Sequence, residues 1–174
     1  MIKSTFYFYA LLALFMFLGC SKDSSDMDNI QGVSNRLEDI ISKEVLLELK
    51  EYMPIYEGKQ APNIEGEYLM DKVTMVYDSY GIFAPGKTGF QDNKLTLSQQ
   101  KANGSLKYSD AMSSSTSSSI SAYIMGSGKN FTVFLNAIRS EKGDAGNVIT
   151  MNMATIISGT HSATGIHNLR YALI

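Results

Sequence analysis

The sequence is poor in the residues that carry covalent and metal chemistry. Among its 174 residues it has one cysteine, two histidines, three prolines and no tryptophan. A single cysteine cannot form a disulfide within the chain or supply a site of several thiolates. The domain must therefore be held together by packing and hydrogen bonds, with ten tyrosines and eight phenylalanines as its aromatic supply.

Charge is also scarce. The net charge at pH 7 is −2, and charged residues make up 18% of the chain. A basic field that would attract a nucleic acid is missing, so we expect no nucleic-acid partner. The sequence also presents no paired acids, metal-ligand cluster or nucleophile elbow. We therefore predict a protein that is not an enzyme, with no catalytic residues, no cofactor and no metal site.

Two features have the outward form of a functional site. Residues 81–88 match the spacing of a phosphate-binding loop, but that mechanism needs a helix that begins at Lys87. Gly89 and a strand-like pattern follow instead, so we interpret the segment as a Gly/Pro-containing surface loop. His161 and His167 flank a turn without neighbouring acids, and we expect them to be exposed and without a catalytic role.

The only cysteine follows a segment typical of a bacterial lipoprotein signal peptide. Lys3 supplies the positive n-region, and the apolar segment Phe6 to Leu18 is shorter than the ~20 residues that span a bilayer. Gly19 places a small residue directly before Cys20. We therefore predict that residues 1–19 are a signal peptide and that Cys20 carries the lipid, with palmitate among its acyl chains.

Residues 20–33 are predicted to be a flexible tether, because polar side chains dominate them. The lipid on Cys20 is then the expected contact with a membrane, since no later apolar run is long enough to cross one. Lys22 and Asp23 resemble the surface-export signal of lipoproteins from Bacteroidota. That resemblance implies a lipid-anchored protein of the outer membrane that faces the cell surface.

Residues 34–53 are predicted to form one short amphipathic helix. Ser34 is a suitable N-cap, and Pro54 ends the helix. The polar face carries both signs of charge, so we expect the apolar stripe to pack on the core and not on a membrane. The stripe recurs at spacings of three and four, at Leu37, Ile40, Ile41, Val45, Leu49 and Tyr52.

From residue 54 onward the hydrophobic pattern changes to a period of two. Short alternating segments are separated by glycine- and asparagine-rich turns, of which Asn103-Gly104 is the strongest hairpin signal. The pattern predicts seven or eight strands over residues 54–174. It favours an all-β antiparallel meander that is either closed into an up-and-down barrel or folded into a sandwich.

Two segments resemble a group of uncharacterised lipoproteins from Bacteroidota. The first is Met53–Gly58 with Ala61–Tyr68, and the second is Ile157–Gly159 with Gly165–Ala172. The resemblance implies a lipocalin-like, calycin-type β-barrel behind a short helix. It implies no activity, because none is established for the group. Chains of the group run past the last strand, which implies that this strand is shortened at Ile174.

Gly66-Glu67-Tyr68 also resembles the Gly-x-Trp motif that opens lipocalin-type barrels, with tyrosine in place of tryptophan. In those barrels the aromatic ring closes the floor, and an arginine of the last strand packs across it. The resemblance implies that Gly66 and Tyr68 close this barrel and that Arg170 makes a cation–π contact with Tyr68. The alternative is a core position for Tyr68 and a solvated Arg170.

Two functions follow from these expectations. The first is a lipid-anchored, non-catalytic cell-envelope lipoprotein whose barrel binds a small apolar ligand. The second is a surface interaction module, in which side chains fill the barrel and the loops contact a protein, glycan or envelope partner. An apolar cavity of a few hundred cubic ångströms would favour the first, and a packed interior would favour the second.

Overall fold

The computed structural model describes residues 40–143 and 145–174. The predicted signal peptide, Cys20, the tether and the start of the predicted helix lie outside these residues. The described chain contains one helix, α1 (Lys43–Leu49), and eight strands. The strands are β1 (Lys59–Gln60), β2 (Gly66–Met70), β3 (Asn93–Ser98), β4 (Lys107–Ala111), β5 (Ser115–Ser127), β6 (Asn130–Lys142), β7 (Val148–Ser162) and β8 (Gly165–Leu173).

The strands form a nearly closed antiparallel barrel, which confirms the predicted fold. From β2 to β8, each strand pairs with the next one along the chain. β1 lies off this path and pairs in parallel with the end of β5, where Lys59 is opposite Gly126. The long connection between β2 and β3, residues 71–92, has no regular secondary structure.

Of the predicted helix of residues 34–53, the structure describes residues 40–53, and among these only Lys43–Leu49 are helical. Residues 40–42 are not helical, and Ser42 is the N-cap, with its hydroxyl accepting a 3.4 Å hydrogen bond from the Val45 amide. Ser42 has an extended backbone (ψ 157°), so the helix begins at Lys43. Val45 and Leu49 are half-buried on the apolar side, as the spacing predicts.

Apolar side chains cover both faces of β6, the most buried strand. One face contributes Phe131, Val133 and Leu135 to the cluster inside the barrel, and all three are fully buried. The other face contributes Phe134 to a second cluster outside the sheet, with Ile156 of β7. The chain before β1 covers this outer cluster with α1 and with the buried side chains Ile40, Ile41 and Met53.

Candidate functional site

The residues predicted to close the barrel are only partly brought together. Tyr68 is half-buried against the inner cluster, and its hydroxyl donates a 2.9 Å hydrogen bond to the Ile64 carbonyl. Loss of solvent raises the pKa of Tyr68. The ring lies over Gly66, where an added Cβ would come within 3.0 Å of the Tyr68 hydroxyl oxygen. Gly66 and Tyr68 therefore meet as a pair at the start of β2.

Arg170 does not join this pair, which corrects the expectation of a buried cation–π contact. Its neighbours Leu169 and Tyr171 pack against the inner cluster, whereas Arg170 is exposed on the opposite face of β8. The cause is a bulge in β8, where the register shifts and Asn168 has a φ of 52°. A bulge inserts one extra residue and reverses which side chains point inward. Arg170 is thus carried outside, away from Tyr68.

A buried polar group lies inside the barrel, at the end where loop 71–92 enters β3. The Asp110 side chain of β4 is 4% exposed, and its Oδ2 accepts hydrogen bonds from the hydroxyls of Tyr108 and, at 3.3 Å, Tyr171. The two hydroxyl oxygens are 2.8 Å apart. Desolvation, with the neighbouring charges, raises the pKa of Tyr108 far above its usual range and that of Tyr171 to about 12. Both hydroxyls therefore stay protonated and act as donors.

Asn93 lies beside this group with its polar atoms unpaired. It begins β3, is fully buried and shares a face with Leu95, which is directly opposite Asp110. Within residues 40–143 and 145–174, neither polar atom of the Asn93 amide has a hydrogen-bond partner, and Oδ1 of Asp110 has none either. An unpaired buried polar atom costs about 1–3 kcal/mol, so this end of the interior is a poor environment for an apolar group.

Arg139 lies on the inner face of β6, in line with Asp110 across the sheet, but its hydrogen bonds go to other residues. It lies opposite Ser117 of β5, which in turn lies opposite Asp110. The guanidinium donates a 2.7 Å hydrogen bond to the Ser115 hydroxyl, and its Nε is 3.5 Å from a Glu141 carboxylate oxygen. The charged groups of Asp110 and Arg139 are thus each held by hydrogen bonds to neighbouring side chains. Because their raised pKa keeps the Tyr108 and Tyr171 hydroxyls protonated near neutral pH, both remain hydrogen-bond donors to Asp110.

The sequence patterns did not predict this polar group. The available signal was the alternation Leu106, Tyr108, Asp110, since a period of two puts all three side chains on one face of the segment that enters and forms β4. The structure shows that the three side chains are buried. Tyr171 joins them from β8, and nothing in its local sequence indicates that contact.

Apolar side chains fill the rest of the barrel. Leu95, Phe131 and Ile157 are fully buried in the inner cluster, and a barrel of about eight strands is just wide enough for its own side chains to fill. Two cavities of about 310 and 330 Å³ are partly open to solvent. The first is lined by Lys59, Ala61, Asn63, Gln100, Lys101, Ala102, Gly104 and Ile124.

The second cavity lies at the seam of the barrel, which we define as the space between β2 and β8. Its lining contains Glu67–Met70 from β2, and Thr164–Ile166 with Leu169 from β8 and the turn before it. Leu95, fully buried, also lines it. In the described part of the chain, β2 pairs only with β3 and β8 only with β7. The seam is therefore a groove between two unpaired strand edges.

Loop 71–92 has a defined shape although it lacks regular structure. Tyr77 stacks on Tyr52 with ring centroids 4.0 Å apart, and its hydroxyl donates a 3.1 Å hydrogen bond to Glu48 of α1. The Asp78 carboxylate accepts bonds from the amides of Phe83, at 2.8 Å, and Tyr80, at 3.0 Å. The amide of Phe83 is the main cause that lowers the pKa of Asp78.

The two other features of the sequence form surface structure. No helix begins at Lys87, whose carbonyl instead accepts a 2.8 Å bond from the Met75 amide. His167 is exposed, and its Nε2 lies 2.9 Å from the hydroxyls of Ser162 and Thr164, whereas His161 is half-buried.

The described residues contain no group of three or more His, Cys, Asp or Glu placed to hold a metal ion. No helix among them is long and apolar enough to cross a membrane.

Comparison of the chain with protein-family models, with curated proteins and with solved structures finds no match. The resemblance to lipoproteins of Bacteroidota therefore stays a prediction. The functional argument rests on the geometry of the barrel, its seam and loop 71–92.

Proposed function

We propose that this protein is a lipid-anchored, non-catalytic interaction module of the cell envelope, which presents a filled β-barrel and loop 71–92 to a protein partner. The observation that carries the proposal is the loop itself. It is held in place by the Tyr77–Tyr52 stack and by Asp78, and yet it exposes 88% of Tyr80 and 73% of Ile82 to solvent.

The composition of the loop tip suits a protein partner. Residues 77–83 read Tyr-Asp-Ser-Tyr-Gly-Ile-Phe, and Val76 and Phe83 are also exposed. Tyrosine offers a large amphipathic surface at low entropic cost, while serine and glycine adapt their hydrogen bonds, as in antibody binding loops. Aromatic side chains are enriched at protein interfaces in general. A loop of fixed shape also loses less conformational entropy when it binds.

The alternative of an apolar ligand inside the barrel receives less support. The interior is occupied by fully buried side chains, and its end near loop 71–92 carries Asp110, Asn93 and Arg139. An apolar ligand would have to displace the core or remain next to unpaired polar atoms. Both changes cost free energy that an apolar ligand cannot recover.

The anchor in this proposal is the lipid on Cys20, with the domain at the cell surface. The support is the order of the signal features in the sequence, from Lys3 through the apolar segment to Gly19 and Cys20. A partner contacted by loop 71–92 is then a protein of the same envelope or one that reaches it from outside.

The test is capture of envelope proteins by chemical cross-linking, with identification by mass spectrometry. We expect the loop variant Tyr80→Ala/Ile82→Ala to lose the partner that the wild-type protein captures. Ile120→Ala is the matched control, because Ile120 is an apolar side chain with 63% exposure on β5, outside the loop. Equal capture by the wild-type protein and the loop variant would refute the loop as the interface.

A further inference from the structure

The direction of the strands leaves the barrel with an unusual seam. The meander from β2 to β8 has seven strands, and each runs antiparallel to the one before it. An odd number of strands makes β2 and β8 run in the same direction. Direct closure would need a parallel ladder, which is slightly less stable per residue than an antiparallel one. In the described residues the two strands form no ladder with each other.

Among the described residues, each of the two strands therefore has one edge whose backbone N–H and C=O groups lack a ladder partner. Such an edge is a template on which another extended chain can pair. Here the two edges line the same groove of about 330 Å³. A chain that entered the groove antiparallel to β2 would also be antiparallel to β8, because those two strands run in the same direction. One added strand would then satisfy both edges.

The side chains of the groove match the two sides of such a strand. Toward the interior, the groove is lined by Leu95, Ile166 and Leu169, which belong to the inner cluster or pack on it. Toward solvent, Leu69 is 67% exposed, and Glu67 is bound by Lys94 at 2.8 Å. Successive side chains of a strand point to opposite faces. The groove therefore favours a segment in which apolar and polar residues alternate.

From these observations we propose that the seam is a binding slot for an extended segment of the partner protein, which adds as a strand antiparallel to both β2 and β8. The addition would complete an eight-stranded meander, and backbone hydrogen bonds would supply affinity while the inner pockets supply specificity. This inference rests on the proposed interaction function. It is continuous with that interface, because loop 71–92 begins directly after Met70 of the groove.

The slot matches a segment about as long as β2, which has five residues. β3 already pairs with all five of them in antiparallel register, with Leu95 and Leu97 facing inward. A synthetic peptide that copies residues 92–99 is therefore a suitable probe for the free edge of β2. Its matched control is the same peptide with methylated backbone nitrogens, which keeps the side chains and removes the donors of the ladder.

The experiment measures hydrogen exchange of the full-length protein in detergent, with and without the peptide. At a peptide concentration of about ten times its Kd, amides on the free edges of β2 and β8 should exchange about tenfold more slowly. Amides of β4 and β5 should not change, and the methylated peptide should protect neither edge. Ile166→Asp, which places a charge in the groove, should abolish protection, whereas Ile120→Asp on the outside of β5 should not.

Several results would overturn the slot. If the amides on both edges already exchange slowly without the peptide, then the seam closes directly, or another part of this chain or a second copy fills it. Protection of one edge alone, or of neither edge at millimolar peptide, would exclude insertion between the strands. The loop variant Tyr80→Ala/Ile82→Ala should bind the peptide normally. If the peptide binds the seam, but the wild-type protein and the loop variant capture the partner equally, then the loop is refuted as the interface. The slot is retained in that case.

Discussion

The hydrogen bond from Tyr108 to Asp110 offers the sharpest test of the barrel interior. Tyr108→Phe removes one hydroxyl and leaves the ring, which is 3% exposed and packed in the inner cluster. The Asp110 carboxyl would then keep only the Tyr171 hydroxyl, at 3.3 Å, among its described partners. Leaving a buried acceptor short of a donor costs about 1–3 kcal/mol of unfolding free energy. We expect a loss near the middle of that range.

The assay is urea unfolding followed by circular dichroism, in which the midpoint should fall at unchanged slope. In a thermal melt the same loss should lower Tm by about 2–4 °C for each kcal/mol. Tyr80→Phe is the control, because Tyr80 is 88% exposed and should change stability by less than about 0.5 kcal/mol. A Tyr108→Phe protein as stable as this control would refute the bond.

A combined variant separates the hydrogen bonds from the packing. Tyr108→Phe/Tyr171→Phe removes both donors to Asp110 and should be less stable than either single variant. Adding Asp110→Leu to that pair should recover part of the loss, because an all-apolar set leaves no acceptor unpaired. If the triple variant is less stable than the double variant, then Asp110 is held by contacts other than the two hydroxyls.

Three further predictions concern the closure residues, the tyrosines at high pH and the anchor. Tyr68→Ala should cost about 2–3 kcal/mol in urea unfolding, because the ring packs on the inner cluster, whereas the exposed Arg170→Ala should cost less than about 0.5 kcal/mol. Equal losses for the two would restore the rejected cation–π pairing. Burial raises the pKa of Tyr171 from 10.0 to about 12, so the folded state keeps a proton that the unfolded state releases. Its contribution to stability is therefore full below pH 10 and lost as the pH rises toward 12. Tyr171→Phe should lose stability less steeply than the wild-type protein over this range, with the remaining slope coming from Tyr108, whose pKa is also raised. Equal high-pH slopes for the two proteins would contradict the contribution of Tyr171. Intact-mass analysis should find lipid on a chain that begins at Cys20, and protease added to whole cells should cleave the domain, whereas protection until lysis would place it on the periplasmic face.

The expectations that were correct depend on local patterns. Alternation with a period of two predicted the strands, because each strand buries one face, and the turn at Asn103-Gly104 is present with Gly104 at a φ of 80°. Within the described part of the predicted helix, residues 40–42 and 50–53 are not helical, since an apolar stripe continues through residues that need not be helical. Ser42, with its extended backbone, begins α1 eight residues after the expected cap at Ser34.

The sequence by itself therefore determined the all-β class and the approximate order of strands and turns, because period and turn chemistry are properties of neighbouring residues. Only the tertiary structure decided which faces and which distant residues meet. The bulge at Asn168 turned Arg170 outward, and the long-range pairing brought Tyr171 of β8 to Asp110 of β4. The tertiary structure also decided the seam. The direction of the last strand relative to the first depends on the number of strands that pair between them.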